Sequence, residues 1–215
     1  MFQKKDRLVK KVLEVRKEIL EIPLIKINYA IENFAKDDSD KENMHNLYKQ
    51  LETLINQSYE GDAGVLYSLV SLLIRLNPEH ALYFLERLAN QGKNVAQYML
   101  AHEYYFGDII EKDLEKAFYW VQKAAEQNNP EALNHLGMFY LEGSVVEQDY
   151  QKAFSLIMRA AEMDFEYAFE GLAHCYYFGL GIKEDHEKAK FWWSKASDRG
   201  VEVATEQLEK YFGER

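Results

Sequence analysis

The chain has 215 residues, of which 47% are apolar and 29% charged. This composition is typical of an ordinary soluble globular protein and argues against disorder. Its formal net charge of −10 disfavours a nucleic-acid backbone as a ligand and favours a basic partner. A single cysteine, Cys175, excludes an internal disulfide framework.

No stretch of the sequence has the roughly 18 consecutive apolar residues that a membrane-spanning helix needs. The first twenty residues lack a continuous apolar segment and carry three acidic side chains, so they fit neither a secretory signal nor a transit peptide. We therefore expect a cytoplasmic protein. Cys175 lies in a predicted helix without a local basic pair, and we expect it to be a small buried filler.

Residues 1–61 are predicted to form helices that cap one end of the protein. Residues 2–21 carry apolar side chains at helical spacing with the lysines largely on the other side, and Pro23 ends this helix. Predicted helices over 24–35 and 42–57 follow on either side of an acidic linker and look like a diverged repeat. The alternative is a basic amphipathic helix that lies on an anionic membrane or on nucleic acid.

The stretch from Ala96 to Gly200 copies itself every 36 residues. Such a period indicates one supersecondary unit stacked on copies of itself. A partial copy with a shorter connecting loop covers residues 62–92. The recurring positions are Ala96, Ala132, Ala168 and Ala204; Ala117, Ala153 and Ala189; Ala124, Ala160 and Ala196; Gly107, Gly143 and Gly179; and Asp113, Asp149 and Asp185.

Each recurring position has a structural reason. The glycines allow the left-handed turn that ends a first helix, and the aspartates offer side-chain oxygens to the free N–H groups of a second helix. Asn129 and Pro130 suit the N-cap and the first position of a helix. Ile110, Val146 and Ile182 are expected to anchor the loops to the core. The second helices are predicted to end at Gly92, Asn128, Asp164 and Gly200, residue types that tolerate a positive φ.

The alanines allow antiparallel helices to cross closely, and bulky residues at fixed positions fill the core around them. These bulky residues are core and not a cofactor site, because they share the phase of the hydrophobic stripe of the repeat. We predict a solenoid over 62–200 and a C-terminal capping helix over 201–215, continuous with 1–61 in one domain. The bulky core residues are Trp120, Leu156 and Trp192; Leu100, Leu136 and Leu172; and Tyr104, Tyr140 and Tyr176.

The copies resemble the Sel-one-like repeat (SLR), the 36-residue relative of the tetratricopeptide repeat. They read AQYMLAHEYYFGDIIEKDLEKAFYWVQKAAEQN, ALNHLGMFYLEGSVVEQDYQKAFSLIMRAAEMD and AFEGLAHCYYFGLGIKEDHEKAKFWWSKASDRG. Ala101 and Ala173 replace the first glycine of the pattern, and Leu156 replaces its tryptophan. The resemblance implies an all-α fold, a right-handed α-solenoid of stacked antiparallel helix pairs. It also implies a protein that binds other proteins as an adaptor or assembly factor, as is widespread in bacteria.

In a stacked helix-pair array the first helix of each unit lines the concave face, so its non-core positions are the predicted binding groove. Side chains that combine an aromatic ring with a polar group offer a protein partner a large contact area at a low cost in side-chain entropy. Phe106, Met138 and Phe178 either join this groove or pack against the neighbouring repeat. The predicted groove residues are Tyr98, His102, Tyr105, Asn134, His135, Glu142, Tyr167, Glu170, His174 and Tyr177.

We therefore predict a monomeric interaction module whose groove holds a basic or amphipathic protein segment. A sharper hypothesis is an immunity protein that neutralises a toxin, because the chain is small and acidic and shows no catalytic domain. The alternative is an enzyme, since cysteine-rich members of the resembled family are linked to β-lactam hydrolysis, but this chain lacks their cysteines.

Catalytic motifs such as S-x-x-K, H-E-x-x-H and G-x-S-x-G are absent from the sequence, so we expect neither enzymatic activity nor a cofactor. His102 and His174 share one repeat phase. Equivalent positions of neighbouring units lie about 10 Å apart, however, which is too far for the ligands of one metal ion.

Overall fold

The structure is a computed structural model that describes residues 66, 67, 70, 74 and 78–213. The predicted helices and the capping role of residues 1–61 lie outside the described residues. In the described part of the chain every regular element is a helix. These helices are α1 (Pro78–Asn90), α2 (Asn94–Phe106), α3 (Leu114–Glu126), α4 (Pro130–Glu142), α5 (Tyr150–Glu162), α6 (Glu166–Phe178), α7 (His186–Asp198) and α8 (Glu202–Phe212).

Two compact units divide the chain, residues 1–87 and residues 88–215, with the boundary inside α1. In the first unit, Leu66, Val70 and Phe84 have no exposed surface. That residues 1–61, 62–200 and 201–215 form one continuous domain stays a prediction.

The second unit is a stack of helix pairs. The first and second helices of each repeat pack together as α2 with α3, α4 with α5, and α6 with α7. Each second helix packs in turn on the next first helix, and α8 follows α7 as the first helix of an incomplete further copy. The predicted all-α solenoid is confirmed.

The helices begin where the sequence predicts. Each of the three recurring aspartates accepts a hydrogen bond from the backbone N–H three residues later, at 2.9–3.0 Å. Asn129 accepts from the N–H of Ala132 at 2.7 Å, and Pro130 is the first residue of α4. These side chains satisfy N–H groups that lack an intrahelical partner.

The predicted helix ends are also confirmed. The glycines after α2, α4 and α6 have φ values of 79°, 66° and 68°. Asn128 and Asp164, which follow second helices, have φ values of 59° and 63° and are the non-glycine residues with positive φ in the described part of the chain. Asparagine and aspartate accept this conformation more readily than other side chains do.

The recurring alanines have no exposed surface, as predicted. Leu156 is also buried as predicted, but the two tryptophans need a correction, because Trp120 and Trp192 are only half-buried against the core. The fully buried position lies one residue later, at Val121, Ile157 and Trp193. Two residues of one helix that are adjacent in sequence point about 100° apart, so they are buried to different extents against the neighbouring helix.

The loop anchors also differ from the prediction. Ile182 is 37% exposed. The loop residues that pack against the core are Val145 and Leu180. Cys175, in contrast, is the buried filler that was predicted, and burial raises the pKa of its thiol to about 12.

Candidate functional site

The first helices α2, α4 and α6 lie next to one another. Ring contacts join α2 to α4, and α4 contacts α6 directly. Their non-core side chains form a surface that we call the first-helix face; its concavity and its binding role stay predictions. Its members are Tyr98, His102, Tyr105, Phe106, Asn134, His135, Met138, Glu142, Tyr167, Glu170, His174, Tyr177 and Phe178.

An aromatic cluster fills the junction between α2 and α4. The His135 ring of α4 lies between two tyrosines of α2, with its centroid 5.4 Å from that of Tyr98 and 5.8 Å from that of Tyr105. One turn along α2, the ring centroids of His102 and Phe106 are 4.4 Å apart. Ring packing of this kind holds the side chains in place before any partner binds.

Burial keeps the histidines of this cluster uncharged at neutral pH. Desolvation, with a smaller contribution from the charge of His102, lowers the pKa of His135 to about 4. Desolvation also lowers the pKa of His102, against the opposing effect of Asp108. The cluster therefore presents neutral rings with polar atoms, a surface suited to an amphipathic ligand.

A polar atom without a partner lies at the junction between α4 and α6. The side-chain oxygen Oδ1 of Asn134 is buried and has no hydrogen-bond partner in the described part of the chain. The position of Gly171 in α6 is 3.5 Å from this oxygen, measured to a Cβ built there, and 3.1 Å from Cγ2 of Ile157 in α5, so the glycine allows α6 to approach α5 closely. An unpaired buried oxygen costs free energy, and a donor from water or from a bound segment would stabilise it.

Glu170 and His174 lie one turn apart on α6. Oε1 of Glu170 is 3.2 Å from Nε2 of His174, but the two atoms lack hydrogen-bond geometry. Burial raises the pKa of Glu170, and the neighbouring His174 opposes this shift. The half-buried carboxylate is therefore poorly compensated, and a basic group of a partner would stabilise it.

Rings of the last helices enclose Tyr177. Its centroid is 4.5 Å from that of His186 in α7 and 4.4 Å from that of Tyr211 in α8. The Phe212 ring lies 6.1 Å away. Tyr177 therefore supports the C-terminal helix, and only part of it faces solvent.

Other members of the face are open to solvent. Tyr167 is 56% exposed, Phe106 52% and Phe178 49%. Glu142 is also exposed, with its Oε2 atom 3.4 Å from the hydroxyl of Ser144. These three half-exposed rings are therefore accessible to a binding partner.

A profile for the Sel1 repeat matches residues 64–93, 94–129, 130–165 and 170–201, which is more than half of the chain. The chain belongs to the Sel1 repeat family. Sel1 repeat proteins are generally protein–protein interaction scaffolds. No curated protein gives a significant match to the chain.

Solved structures include similar Sel1 repeat proteins. A Sel1 repeat protein from Oxalobacter formigenes is 35% identical, with 60% of this chain and 98% of that chain aligned and a TM-score of 0.52. The protein c5321, a protective antigen present in uropathogenic Escherichia coli strains and displaying an SLR fold, is 27% identical with a TM-score of 0.62. That alignment covers 76% of this chain and only 37% of that protein.

Within this Sel1 repeat chain the predicted groove residues divide into three groups. Tyr98, His102, Tyr105 and His135 come together between α2 and α4. Tyr177 is drawn toward α7 and α8. The other members lie along α4 and α6, namely Asn134, Glu142, Tyr167, Glu170 and His174.

Sequence reasoning missed the part that α8 plays beside this face. Tyr211 stacks on Trp193 with ring centroids 5.5 Å apart and planes 15° apart. Leu208, Tyr211 and Phe212 have the spacing of a helix with a buried side, and this spacing was the available signal.

In the described part of the chain no group of three or more His, Cys, Asp or Glu side chains is arranged to hold a metal ion. None of the described helices is long and apolar enough to cross a membrane.

Proposed function

We propose that the chain is a protein-interaction module whose first-helix face holds a basic or amphipathic segment of another protein. The observation that carries the proposal is the half-exposed set of rings, Phe106, Tyr167 and Phe178, on a preformed base of packed rings. Solvent-exposed rings on a rigid base are the side chains that most often dominate a protein interface.

Charge supports a basic or amphipathic partner. The chain has a net charge of −10. Glu142 is exposed on the face, and Glu170 is half-buried there beside His174. Complementary charge raises the association rate and selects the partner, while the rings supply most of the affinity.

The test uses two tyrosines that differ mainly in their location. Tyr167 is 56% exposed on the first-helix face, and Tyr119 is 51% exposed on the second helix α3. Full-length protein carrying Tyr167→Ala or Tyr119→Ala is compared with the wild type for capture of interacting proteins from cells that express the chain.

We expect Tyr167→Ala to lose at least one specific partner that Tyr119→Ala retains, with unchanged melting temperatures for both variants. Equal capture by the two variants, or loss only with Tyr119→Ala, would show that the first-helix face is not the binding surface. Tyr177→Ala is unsuitable for this test because Tyr177 supports α8.

Two finer roles follow from the proposal, a cytoplasmic adaptor and an immunity protein that neutralises a basic toxin. The acidity of the chain motivates the second role. Co-expression of the captured partner with and without this chain separates the two. A partner that stops growth only when the chain is missing indicates an immunity protein, whereas unchanged growth in both cultures indicates an adaptor.

A further inference from the structure

Three residues end the three first helices at the same position of the repeat. Phe106 is the last residue of α2, Glu142 of α4 and Phe178 of α6. We call them the terminal row. A spacing of about 8–10 Å between successive first helices, typical of packed helices, would put the two phenylalanines about 16–20 Å apart with the carboxylate between them.

Both phenylalanines of the terminal row pack against rings of their own helices. The ring centroid of Phe106 lies 4.4 Å from that of His102 and 5.0 Å from that of Tyr105. The ring centroid of Phe178 lies 4.9 Å from that of Tyr177. Because their positions are already restricted, these rings lose little side-chain entropy when a partner covers them.

The carboxylate of Glu142 has an unfavourable position within the fold itself. The C-terminal end of a helix carries partial negative charge, so an acidic residue there is destabilising. No basic residue lies in the last turn of α2, α4 or α6, whereas α3, α5 and α7 each have one, namely Lys123, Arg159 and Lys195.

Within the described part of the chain, Glu142 also forms no ion pair. The terminal row thus places an exposed carboxylate without an ion pair between two apolar rings. A cation placed there would interact favourably with the Glu142 carboxylate.

We propose that the terminal row recognises a linear partner segment with one lysine or arginine between two large apolar side chains. The inference rests on the proposed function and specifies its partner. The span of 16–20 Å corresponds to about five or six residues of an extended segment, or to about 11 to 13 residues of a helix. A second copy of the chain is the competing occupant.

The probe is a phage-displayed library of random 16-residue peptides, selected on the full-length protein. We expect the enriched peptides to share a basic residue flanked by two large apolar residues at one of these spacings. A synthetic copy of the best peptide is then titrated against Glu142→Lys, Glu142→Gln, Phe106→Ala and Phe178→Ala. Glu147→Lys, at an exposed loop position, is the matched charge control.

We expect Glu142→Lys to weaken binding about tenfold and Glu142→Gln about threefold, because both remove an exposed attraction and only the lysine adds a repulsion. Each Phe→Ala change should cost about tenfold. Glu147→Lys should leave the affinity within twofold. Exchanging the basic residue of the peptide for glutamate should restore binding to Glu142→Lys.

Met138→Lys lies at the centre of the first-helix face and outside the terminal row. This variant therefore distinguishes binding elsewhere on the face from binding at the terminal row. Peptides that lose affinity with Met138→Lys but not with the terminal-row variants would overturn the inference and leave the function standing. Insensitivity to every variant, or the absence of any enriched peptide, would overturn both. Concentration-dependent dimerisation that Phe106→Ala and Phe178→Ala abolish would overturn the inference in favour of a second copy.

Discussion

Trp193 of α7 stacks on Tyr211 of α8, with their ring centroids 5.5 Å apart and their planes 15° apart. Trp193 has no exposed surface, and it also contacts His174 and Tyr177 of the first-helix face. One side chain therefore links the last helix pair, the last helix and the candidate binding surface.

Replacing Trp193 with alanine should lower the free energy of unfolding by about 3–5 kcal/mol, because the change opens a large cavity in the core. Trp120→Ala is the matched control, since Trp120 is half-buried and should cost less than half as much. Urea unfolding followed by circular dichroism measures both values. Equal losses would contradict the burial difference between the two tryptophans.

Tyr211→Ala should loosen α8 without unfolding the repeats. The Tyr211 ring contacts Tyr177 and Trp193, and these contacts connect α8 to α6 and α7. Hydrogen exchange should therefore accelerate across Glu202–Phe212 and stay unchanged in α4. Glu209→Ala, at an exposed position of α8, should leave both regions protected. A uniform loss of protection along the chain would show that α8 is not a separate unit of stability.

Acidification should destabilise the protein through His135. The folded state lowers its pKa from 6.5 to about 4, so the unfolded chain binds the proton more tightly. The contribution of His135 to the free energy of unfolding is therefore fully present above pH 6.5. It decreases as the pH falls toward 4, by an amount on the order of 3 kcal/mol. Urea unfolding between pH 7.5 and about 4.5 tests this prediction.

His135→Phe is the comparison for this pH series, because it keeps a ring in the cluster and removes the titration. The variant should lose most of the pH dependence over that range. The lowered pKa of His102 contributes a smaller effect of the same sign. An unchanged slope in the variant would assign the pH dependence to other groups.

Gly137→Ala should be destabilising although alanine is the better helix former. The added methyl group would lie 2.5 Å from Cγ1 of Ile157, which is fully buried and cannot move away. We expect a net loss of about 1–2 kcal/mol after the gain in helix propensity. Adding Ile157→Ala, which removes Cγ1, should cost less in the variant than in the wild type. A double-mutant cycle with additive losses would contradict the contact.

Asn129→Ala should cost about 1 kcal/mol, because the side chain caps α4 through the N–H of Ala132 and is itself buried. Asn129→Asp keeps the accepting oxygen and should recover most of the loss. Thermal unfolding of the two variants against the wild type measures the difference. A melting temperature of Asn129→Ala equal to that of the wild type would show that the cap contributes nothing.

Local chemistry was sufficient to predict the helix boundaries of the repeats. Asn128 and Asp164 adopt positive φ values, and Asp113 and Asp149 cap helices, because each choice depends on the backbone within a few residues. The same capping and turn residues recur every 36 residues in each copy of the repeat. The family and the stacking of helix pairs could therefore be predicted from the sequence alone.

The candidate site could be predicted only in outline. The sequence places Tyr98, His102 and Tyr105 on one side of a helix, but it cannot say that His135 lies between the tyrosines. Such contacts depend on how far one helix is rotated and shifted against the next.

The sequence by itself determined the repeat, the helix ends, the small residues at the crossings and the acidic character of the chain, because these depend on short-range conformation and composition. Only the tertiary structure decided that Trp193 is buried while Trp192 is half-exposed, and that Tyr177 lies under Tyr211. Adjacent positions of a helix differ by about 100° in direction, so the packing of neighbouring helices selects which of two similar side chains enters the core.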